Sequence, residues 1–397
     1  MLVGEKIINS KRLVNQSIQH ATPYQVPVDF LAVPQIWEQL FSAFHIEKKQ
    51  FDVRTAFFDP NWETVNGVLN NDCRLLSYDQ FVAPARLNDL DQKCVDWFST
   101  PARSSPNRMF RIVTGENNMR DIWGRNFLLN RENGSMTENV GLPPLRSASS
   151  KQDIYQFSWP DPDWWDFSEV PEIVSSIDPS HSLHWRYRAG SIFEVAWQLV
   201  GFEKFLLDLS LAPEIPMRLM GIITDITVEL LERFLEQAPD DIDMIYFYDD
   251  LASQQNLLIS MEMWRKYVKP HHQRLIDVAK SHRKTVMYHC DGNIHQLIPE
   301  FIDMGIDVLN PIQPDISDMQ PSILKKEFGD RLCFHGGIDI CMLRQIKSLS
   351  QLDAYIIQRK KEMLKNGGYI LAPTHHIQAN TPIENIIEMY QIDLRRI

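Results

Sequence analysis

The sequence predicts an α/β protein that folds as a (β/α)8 TIM barrel. Short apolar runs alternate with amphipathic stretches five times in the second half of the chain, and the short connections between them favour parallel over antiparallel pairing. The five apolar runs all end in polar residues, as expected where barrel strands open onto one mouth. A doubly wound sheet also fits the alternation. A Rossmann fold is less compatible, because no G-x-G-x-x-G follows any run.

The second half is divided by clear local signals. Ser260 is a natural helix N-cap and Gly305 a natural helix end, while Pro270 predicts a kink or division in the helix that contains it. His271 and His272, beside this proline, are predicted to lie at the surface. The predicted strands are 244–250, 285–292, 307–314, 331–339 and 369–376, and the predicted helices are 260–282, 294–305, 320–329, 349–368 and 381–391.

The first half is less regular. Segments 27–33 and 51–58 resemble strands, and 223–238 has the pattern of an amphipathic helix. Between roughly 71 and 180 the chain is polar and rich in proline, and "GENN" and "RENG" predict hairpin turns. We therefore expect one barrel domain over 1–397, with an N-terminal extension and an antiparallel insertion at about 71–180.

The composition restricts the location and the partners of the protein. Among 397 residues, 44% are hydrophobic and 23% charged, and the net charge is −12. This acidic balance disfavours nucleic acid, which requires clustered Lys and Arg. Widely spaced cysteines without C-x-x-C indicate a reducing compartment, and no apolar run is long enough for a membrane span or a signal peptide. We expect a cytoplasmic protein, and a homodimer is left open.

The run "VMYHCDGN" ends a predicted strand on three chemically active residues, His289, Cys290 and Asp291. Side chains alternate along a strand, so His289 and Asp291 share one face while Cys290 points to the other. This argument favours the pair His289 and Asp291 over the pair His289 and Cys290.

Two other strand ends offer candidate ligand-binding groups. Asp249 and Asp250 end one strand, and we expect Asp250, or Gln254 just beyond it, to contact the substrate, with a helix-start or loop role as the alternative. Asn310 and Gln313 carry neutral amides suited to orienting a ligand, although Asn-Pro also favours a turn. Asp249, Gln254, Asn310 and Gln313 are therefore predicted to bind substrate, and Asp250 to be catalytic.

The last two strand ends add histidines and glycines. "FHGGID" places Gly336 where a ligand could approach the backbone closely, with His335 as a candidate catalytic group and Asp339 as a candidate substrate ligand. "APTHH" ends on two histidines. His375 is predicted to be catalytic and His376 to bind substrate. Histidine suits acid–base catalysis because its pKa lies near 7.

Four segments resemble the uroporphyrinogen decarboxylase superfamily, most of all its methyltransferase-like branch of corrinoid and thiol methyltransferases. They are "DDLASQQNLLISMEMWRKYVKP", "YHCDGNIHQLIPEFIDMGIDVLNPIQP", "LKKEFGDRLCFHGGID" and "GGYILAPTHHIQANTPIEN". The resemblance runs in order from about 190 to 395 and more weakly from 25 to 180. It implies a (β/α)8 barrel, in agreement with the alternation of elements.

The sequence departs from this superfamily in two places. True uroporphyrinogen decarboxylases carry an N-terminal segment whose arginines grip the porphyrinogen carboxylates, whereas "YQVPVDFLAVPQIW" has no Arg or Lys. Uroporphyrinogen is therefore not the expected substrate. Zinc methyltransferases of the branch use H-x-C and a distant Cys near the last strand. Here Asp291 matches the first Cys, and His375 and His376 fall near the second.

The resemblance implies a divalent metal, most simply zinc, held by His289, Asp291 and His375 with Glu194 as a fourth ligand. Glu194 is an acid inside the apolar run "GSIFEVAWQL" and so requires an explanation. Three protein ligands and an open position are typical of catalytic zinc, and nitrogen and oxygen ligands also suit other divalent ions. Two alternatives stay open: acid–base catalysis by His375 and Asp250 without metal, and hydrogen-bonded core histidines without chemistry.

The expected function is methyl transfer to or from a small substrate. A bound metal would help to deprotonate a thiol or hydroxyl acceptor. Any corrinoid is expected on a partner protein, since the chain has no spare length for a corrinoid-binding domain. The alternatives are a metal-independent decarboxylase of a carboxylated small molecule and a ligand-binding barrel without turnover.

Overall fold

The computed structural model describes residues 9–49, 60–83, 112–115, 117–129, 136–138 and 141–391. The predicted strand at 51–58 and the turn "RENG" lie outside these residues. None of the helices in the described ranges is both long and apolar enough to cross a membrane.

The first half of the described chain is made of short elements. In chain order they are α1 (Ser10–Ile18), α2 (Pro34–Ala43), α3 (Pro60–Val68), β1 (Cys73–Ser77), β2 (Ile112–Val113), β3 (Asn118–Arg120), β4 (Asn126–Leu129), β5 (Met136–Glu138), α4 (Lys151–Tyr155) and α5 (Val170–Ile177).

The second half alternates strands and helices as predicted. β6, α6 and α7 were not predicted, whereas α8 corresponds to the helix predicted at 223–238 and begins nine residues earlier. The elements are β6 (His184–Gly190), α6 (Phe193–Val200), α7 (Phe202–Leu211), α8 (Glu214–Gln237), β7 (Met244–Tyr248), α9 (Met261–Met263), α10 (Lys269–Ser281), β8 (Thr285–His289), α11 (Ile298–Met304), β9 (Val308–Ile312), α12 (Pro321–Phe328), β10 (Cys333–Ile338), α13 (Ile340–Gln345), α14 (Leu349–Met363), β11 (Tyr369–Pro373) and α15 (Ile383–Gln391).

Seven strands form one curled parallel sheet in the order β1-β6-β7-β8-β9-β10-β11, which is consistent with a TIM-barrel-like fold. The segment 27–32 lies between the two ends of this sheet. Asp29 N donates to Leu371 O at 2.9 Å on one side, and Asp72 N donates to Val28 O at 3.0 Å on the other. The predicted strand at 27–33 is thus present as a short, irregular extended segment that hydrogen-bonds to both ends of the sheet.

A second, antiparallel sheet of β2 to β5 falls within the range predicted as an insertion. The prediction was wrong for residues 73–77, which form β1 and pair in parallel with β6. This strand was missed because Arg74 interrupts its apolar run. The guanidinium is buried, and its Nε donates to Glu63 Oε2 at 2.7 Å, which makes a charged residue compatible with the core.

The interior of the parallel sheet is closed at the amino ends of the strands by an apolar layer. Val14 of α1 packs there against residues that lie at or near the strand starts. Polar groups on the same strand faces must then lie further along, towards the carboxyl ends, as His289 does two residues after Met287. The strand residues of this layer are Cys73, Met244, Met287, Val308, Cys333 and Ile370.

The predicted helix at 260–282 is divided, as Pro270 indicated. A π-helical turn at Trp264–Val268 separates α9 from α10, and Pro270 lies in the first turn of α10. The prediction of surface positions for His271 and His272 was wrong, since they are only 8% and 3% exposed. Helical spacing places both histidines on the same face of α10 as Leu275 and Ile276. This face is buried and packs against the sheet.

Candidate active site

Three polar side chains meet where β7 and β8 end. These strands are parallel neighbours with Tyr248 opposite His289, so Asp250 and Asp291 continue that register. One ligand atom from each of Asp250, His289 and Asp291 lies within 4.8 Å of the others. Asp291 N donates to Asp250 Oδ1 at 2.8 Å, and His289 Nε2 lies 4.0 Å from Asp291 Oδ2. We call these three residues the inner cluster.

Cys290 points away from the inner cluster, as strand alternation predicts. Its side chain is fully buried in the core between sheet and helices, and its Sγ accepts a hydrogen bond from Leu251 N at 3.2 Å. Burial raises the pKa of the thiol well above its ordinary value, and the negative charge of Asp250 raises it further. A protonated, buried thiol is a poor nucleophile and a poor metal ligand.

Asp291 occupies an unfavourable position for an unliganded carboxylate. Burial raises its pKa, His289 and His375 act in the opposite direction, and the charge of Asp250 raises it further. Its Oδ1 is buried and has no hydrogen-bond partner within the described chain. Because an unpaired buried carboxylate oxygen is costly, a bound cation would relieve this arrangement. Two carboxylates and one imidazole are also suitable ligands for a divalent metal.

The predicted metal ligands His375 and Glu194 are not part of the close group. Much of His375 is exposed at the end of β11. Loss of hydration around its ring lowers its pKa, and the charge of Asp291 opposes that change. The two residues are therefore electrostatic neighbours. Glu194 lies in the first turn of α6, where its Oε1 accepts from Gln198 Nε2 at 2.9 Å. Asp250, predicted to be catalytic, takes the third position in the group.

His376 follows His375, and their ring centroids are 5.0 Å apart. Burial lowers the pKa of His376 to about 3, and the positive charges of His375 and Arg188 act in the same direction. At neutral pH His376 is therefore an uncharged group at the mouth.

A hydrogen-bonded chain connects His289 to the opposite side of the barrel interior. His289 Nδ1 lies 2.6 Å from Asn310 Oδ1, and Asn310 Nδ2 lies 2.7 Å from His335 Nδ1. His335 Nε2 lies 2.9 Å from Asp29 Oδ2, which also pairs with Arg186 Nη2 at 2.5 Å. Asn310 and His335, predicted to act on substrate, instead lie behind His289. All members except half-buried His289 are less than 9% exposed.

Asp29 and Arg186 were not predicted as site residues. Burial opposes ionisation of Asp29, but Arg186 and then His335 hold the pKa of its carboxyl below the ordinary value. The signal was present in the sequence as a single acid in "VPVDFLAV" and as arginines alternating in "HWRYRAG". Both segments contribute to the sheet, so these charges point into the barrel and require partners there.

Asp249, predicted to bind substrate, has a structural role. It is 1% exposed, and its carboxylate accepts hydrogen bonds from three backbone N–H groups at the start of α6, at 2.7 to 3.0 Å. His272 Nε2 donates to this carboxylate at 2.7 Å, and Tyr288 OH lies 3.3 Å from His272 Nδ1. We call Asp249, His272 and Tyr288 the outer cluster, because they lie between the sheet and the helices.

The remaining predicted substrate ligands shape the backbone around the mouth. Gln313 Oε1 accepts from Gly292 N at 2.7 Å and so holds the loop after β8. Gly336 is buried with φ +113, and a Cβ there would lie 3.2 Å from Ile312 N, so its close approach is to backbone rather than to ligand. Asp339 caps α13 by accepting from Cys341 N at 2.7 Å, and Gln254 is exposed in the loop after β7.

Arg188 places a positive charge at the mouth of the barrel. Its Nε donates to Ser77 Oγ at 3.0 Å, while its Nη2 lies 3.9 Å from Asp79 Oδ1, beyond hydrogen-bond distance. The guanidinium lies 5.6 Å from the centroid of the Tyr248 ring. Among the described residues, this half-buried cation therefore has no hydrogen-bonded carboxylate.

TIM-barrel enzymes hold their active sites at the carboxyl ends of the strands, and the polar groups described above lie at that end of this barrel-like sheet. The model of one such family, uroporphyrinogen decarboxylase (URO-D), matches residues 138–392, and the chain belongs to this family. A search of curated protein sequences finds no match.

Solved structures give two further comparisons. A methyltransferase from Methanosarcina mazei superposes with a TM-score of 0.58 at 18% identity, covering 96% of both chains. At this identity the likeness establishes the shared fold. An endo-1,4-beta-xylanase, XylE, from Penicillium canescens matches with a TM-score of 0.34 at 8% identity, covering 54% of this chain and 69% of that one, and supports no argument.

Proposed function

We propose that this protein is a metal-dependent, methyltransferase-like enzyme that acts on a small substrate. The observation that carries the proposal is the inner cluster, in which the buried Oδ1 of Asp291 lacks a partner among the described residues. The chain's URO-D family membership and its structural similarity to a methyltransferase agree with this function.

Asp250, His289 and Asp291 would hold the metal, and their donor atoms are one imidazole nitrogen and carboxylate oxygens. When bound, a divalent ion supplies a Lewis acid that favours the deprotonated form of a thiol or hydroxyl acceptor. Zinc is the first ion to test. The oxygen-rich set also suits manganese or iron better than a thiolate site would.

His375 is the best-placed group to move a proton at the mouth. Reduced hydration lowers the pKa of its ring, so the ring is neutral near pH 7 and can accept a proton from the acceptor group of the substrate. Exposure at the end of β11 then lets that proton pass to solvent. The methyl group would come from, or go to, a corrinoid on a partner protein.

A metal-independent decarboxylase is the second candidate, and Arg188 favours it. A guanidinium at the mouth that is hydrogen-bonded to no carboxylate of the described residues is suited to binding the carboxylate of a substrate. Asp250 and His375 would then serve as the acid–base pair.

Metal binding tests the first proposal directly. Wild-type protein is stripped with a chelator and titrated with Zn²⁺ and with Mn²⁺ by calorimetry, beside His289→Ala. We expect wild type to bind one ion and His289→Ala to lose more than about 100-fold in affinity, since even outer hydrogen-bond partners of metal ligands contribute roughly 10- to 100-fold.

His295→Ala is the matched control, because His295 is paired with Glu327 outside the inner cluster. It should bind metal as wild type does. Methyl transfer from methylcobalamin to a small thiol is then measured with and without metal. Failure of wild type to bind either ion overturns the metal proposal, and metal-independent release of carbon dioxide from a carboxylated substrate would support the decarboxylase.

A further inference from the structure

The hydrogen-bonded chain behind His289 has a defined direction. We propose that Asp29, His335 and Asn310 are positioning residues that hold His289 in the Nδ1–H tautomer, with its Nε2 lone pair directed at Asp250 and Asp291. The inference rests on the proposed function only in that a metal ion takes this lone pair.

The direction is set at the Arg186 end. Arg186 Nη2 pairs with Asp29 Oδ2 at 2.5 Å, and both side chains are buried, so Asp29 is ionised. An ionised carboxylate can only accept hydrogen bonds. His335 Nε2, 2.9 Å from the same oxygen, must therefore carry a hydrogen.

The second nitrogen of His335 is then a bare acceptor. The ring is buried, and its Nε2 also lies 3.5 Å from Arg186 Nη1, so a cationic imidazole would be poorly hydrated and close to another positive charge. A neutral ring with hydrogen on Nε2 has a lone pair on Nδ1. The atom of Asn310 that faces it at 2.7 Å must be the amide nitrogen.

The orientation of Asn310 determines the tautomer of His289. With its nitrogen towards His335, the amide presents Oδ1 to His289 Nδ1 at 2.6 Å, and an oxygen acceptor requires hydrogen on that nitrogen. The reversed amide would place Oδ1 against the lone pair of His335. The proton pattern is therefore fixed from Asp29 to Nδ1 of His289, and in the neutral form of His289 the lone pair lies on Nε2, the atom 4.0 Å from Asp291.

This arrangement matches what a metal-binding histidine requires. Ligating histidines typically donate their other ring N–H to a fixed acceptor, which sets the tautomer and aims the ligating nitrogen. Tyr246 adds an edge-to-face contact on the His289 ring, with centroids 6.1 Å apart. Asn310 and His335 thus act through His289 and do not touch the substrate themselves.

The tautomer can be measured without any metal. The protein is labelled with ¹⁵N-histidine and stripped with chelator, and the His289 signals among those of the 12 histidines are assigned by comparison with His289→Ala. We expect the Nδ1–H pattern in wild type and a mixture of tautomers in Asn310→Ala. An Nε2–H pattern in wild type overturns the inference.

Metal affinity provides the second readout. Asn310→Ala should bind Zn²⁺ about 10- to 100-fold more weakly than wild type. The matched control is Asn385→Ala. Asn385 is a buried amide that donates to Leu343 O and Ile346 O away from the site, and its loss should change neither readout.

The outcomes separate this inference from the proposed function. One outcome is that His289 has the Nδ1–H tautomer in wild type and loses it in Asn310→Ala, while the protein binds no metal. This result would support the positioning network and reject the metal proposal. If Asn310→Ala binds metal as tightly as wild type does, the network is rejected and the metal proposal is retained.

Discussion

Two clusters of carboxylate and imidazole lie on opposite sides of the same pair of strands. The outer cluster of Asp249, His272 and Tyr288 lies behind β7 and β8, and the inner cluster of Asp250, His289 and Asp291 lies at their mouth. Neighbouring residues in the sequence, Asp249 and Asp250, belong to different clusters because side chains alternate along a strand.

The clusters differ in how completely their hydrogen-bonding capacity is used. Asp249 accepts from three backbone N–H groups and from His272, so its charge is compensated within the protein. Asp291 has a buried oxygen without a partner in the described chain and a second carboxylate, Asp250, beside it. Carboxylates and imidazoles thus stabilise the fold in the outer cluster, whereas in the inner cluster a carboxylate oxygen is left able to bind a ligand.

The largest expected effect comes from removing the centre of the outer cluster. Asp249→Ala leaves His272 and three backbone donors without their acceptor in a buried position, and should lower the free energy of unfolding by about 3–5 kcal/mol. Urea denaturation measures the loss. Asp339→Ala removes a less buried helix cap and should lower it by only about 1 kcal/mol. Equal losses in the two variants would contradict the structural role of the outer cluster.

On acidification, each buried neutral histidine outside the inner cluster should contribute an effect smaller than that of Asp249→Ala. Burial lowers the pKa of His184 and of His271 from 6.5 to about 4. Between these values the unfolded chain binds more protons than the folded one, so stability is complete above pH 6.5 and falls as the pH approaches 4. At about pH 5 the loss should be about 2 kcal/mol for each histidine.

Denaturation at pH 7 and pH 5 measures this loss. His184 is the histidine to replace, because neither of its ring nitrogens has a hydrogen-bond partner in the described structure. His184→Phe should therefore fold normally at pH 7 and reduce the loss of stability at pH 5 by about 2 kcal/mol. A variant with undiminished sensitivity would show that His184 is not kept neutral by burial.

The smallest effect should be a gain in stability from the inner cluster. The pKa of Asp291 is raised in the folded state, first by burial, so its ionised form lowers stability at neutral pH. Asp291→Asn should then raise the free energy of unfolding of the metal-free protein by about 1 kcal/mol while removing metal binding. Thermal unfolding in chelator measures the gain, and a clear destabilisation would place Asp291 with the structural carboxylates.

The sequence predicted the parallel sheet and part of the site because both depend on local patterns. Alternation along β8 separated Cys290 from His289 and Asp291, and the structure brings these last two together with Asp250. The same reasoning missed Asp29 and Arg186, which lie far apart in the chain. Their segments look irregular or polar because the charged residues point inward and are compensated across the barrel.

The periodicity of the sequence also could not distinguish a polar side chain that is hydrogen-bonded in the interior from one that is available to a ligand. His271 and His272 looked like surface residues, Glu194 like a metal ligand and His335 like a catalytic group, because the sequence shows residue type and spacing but not the hydrogen-bond partners. The composition, the strand–helix alternation and the family are properties of the sequence itself. Only the tertiary structure decided which carboxylates and imidazoles are satisfied, since their partners come from other strands and helices and their distances depend on how the sheet curls.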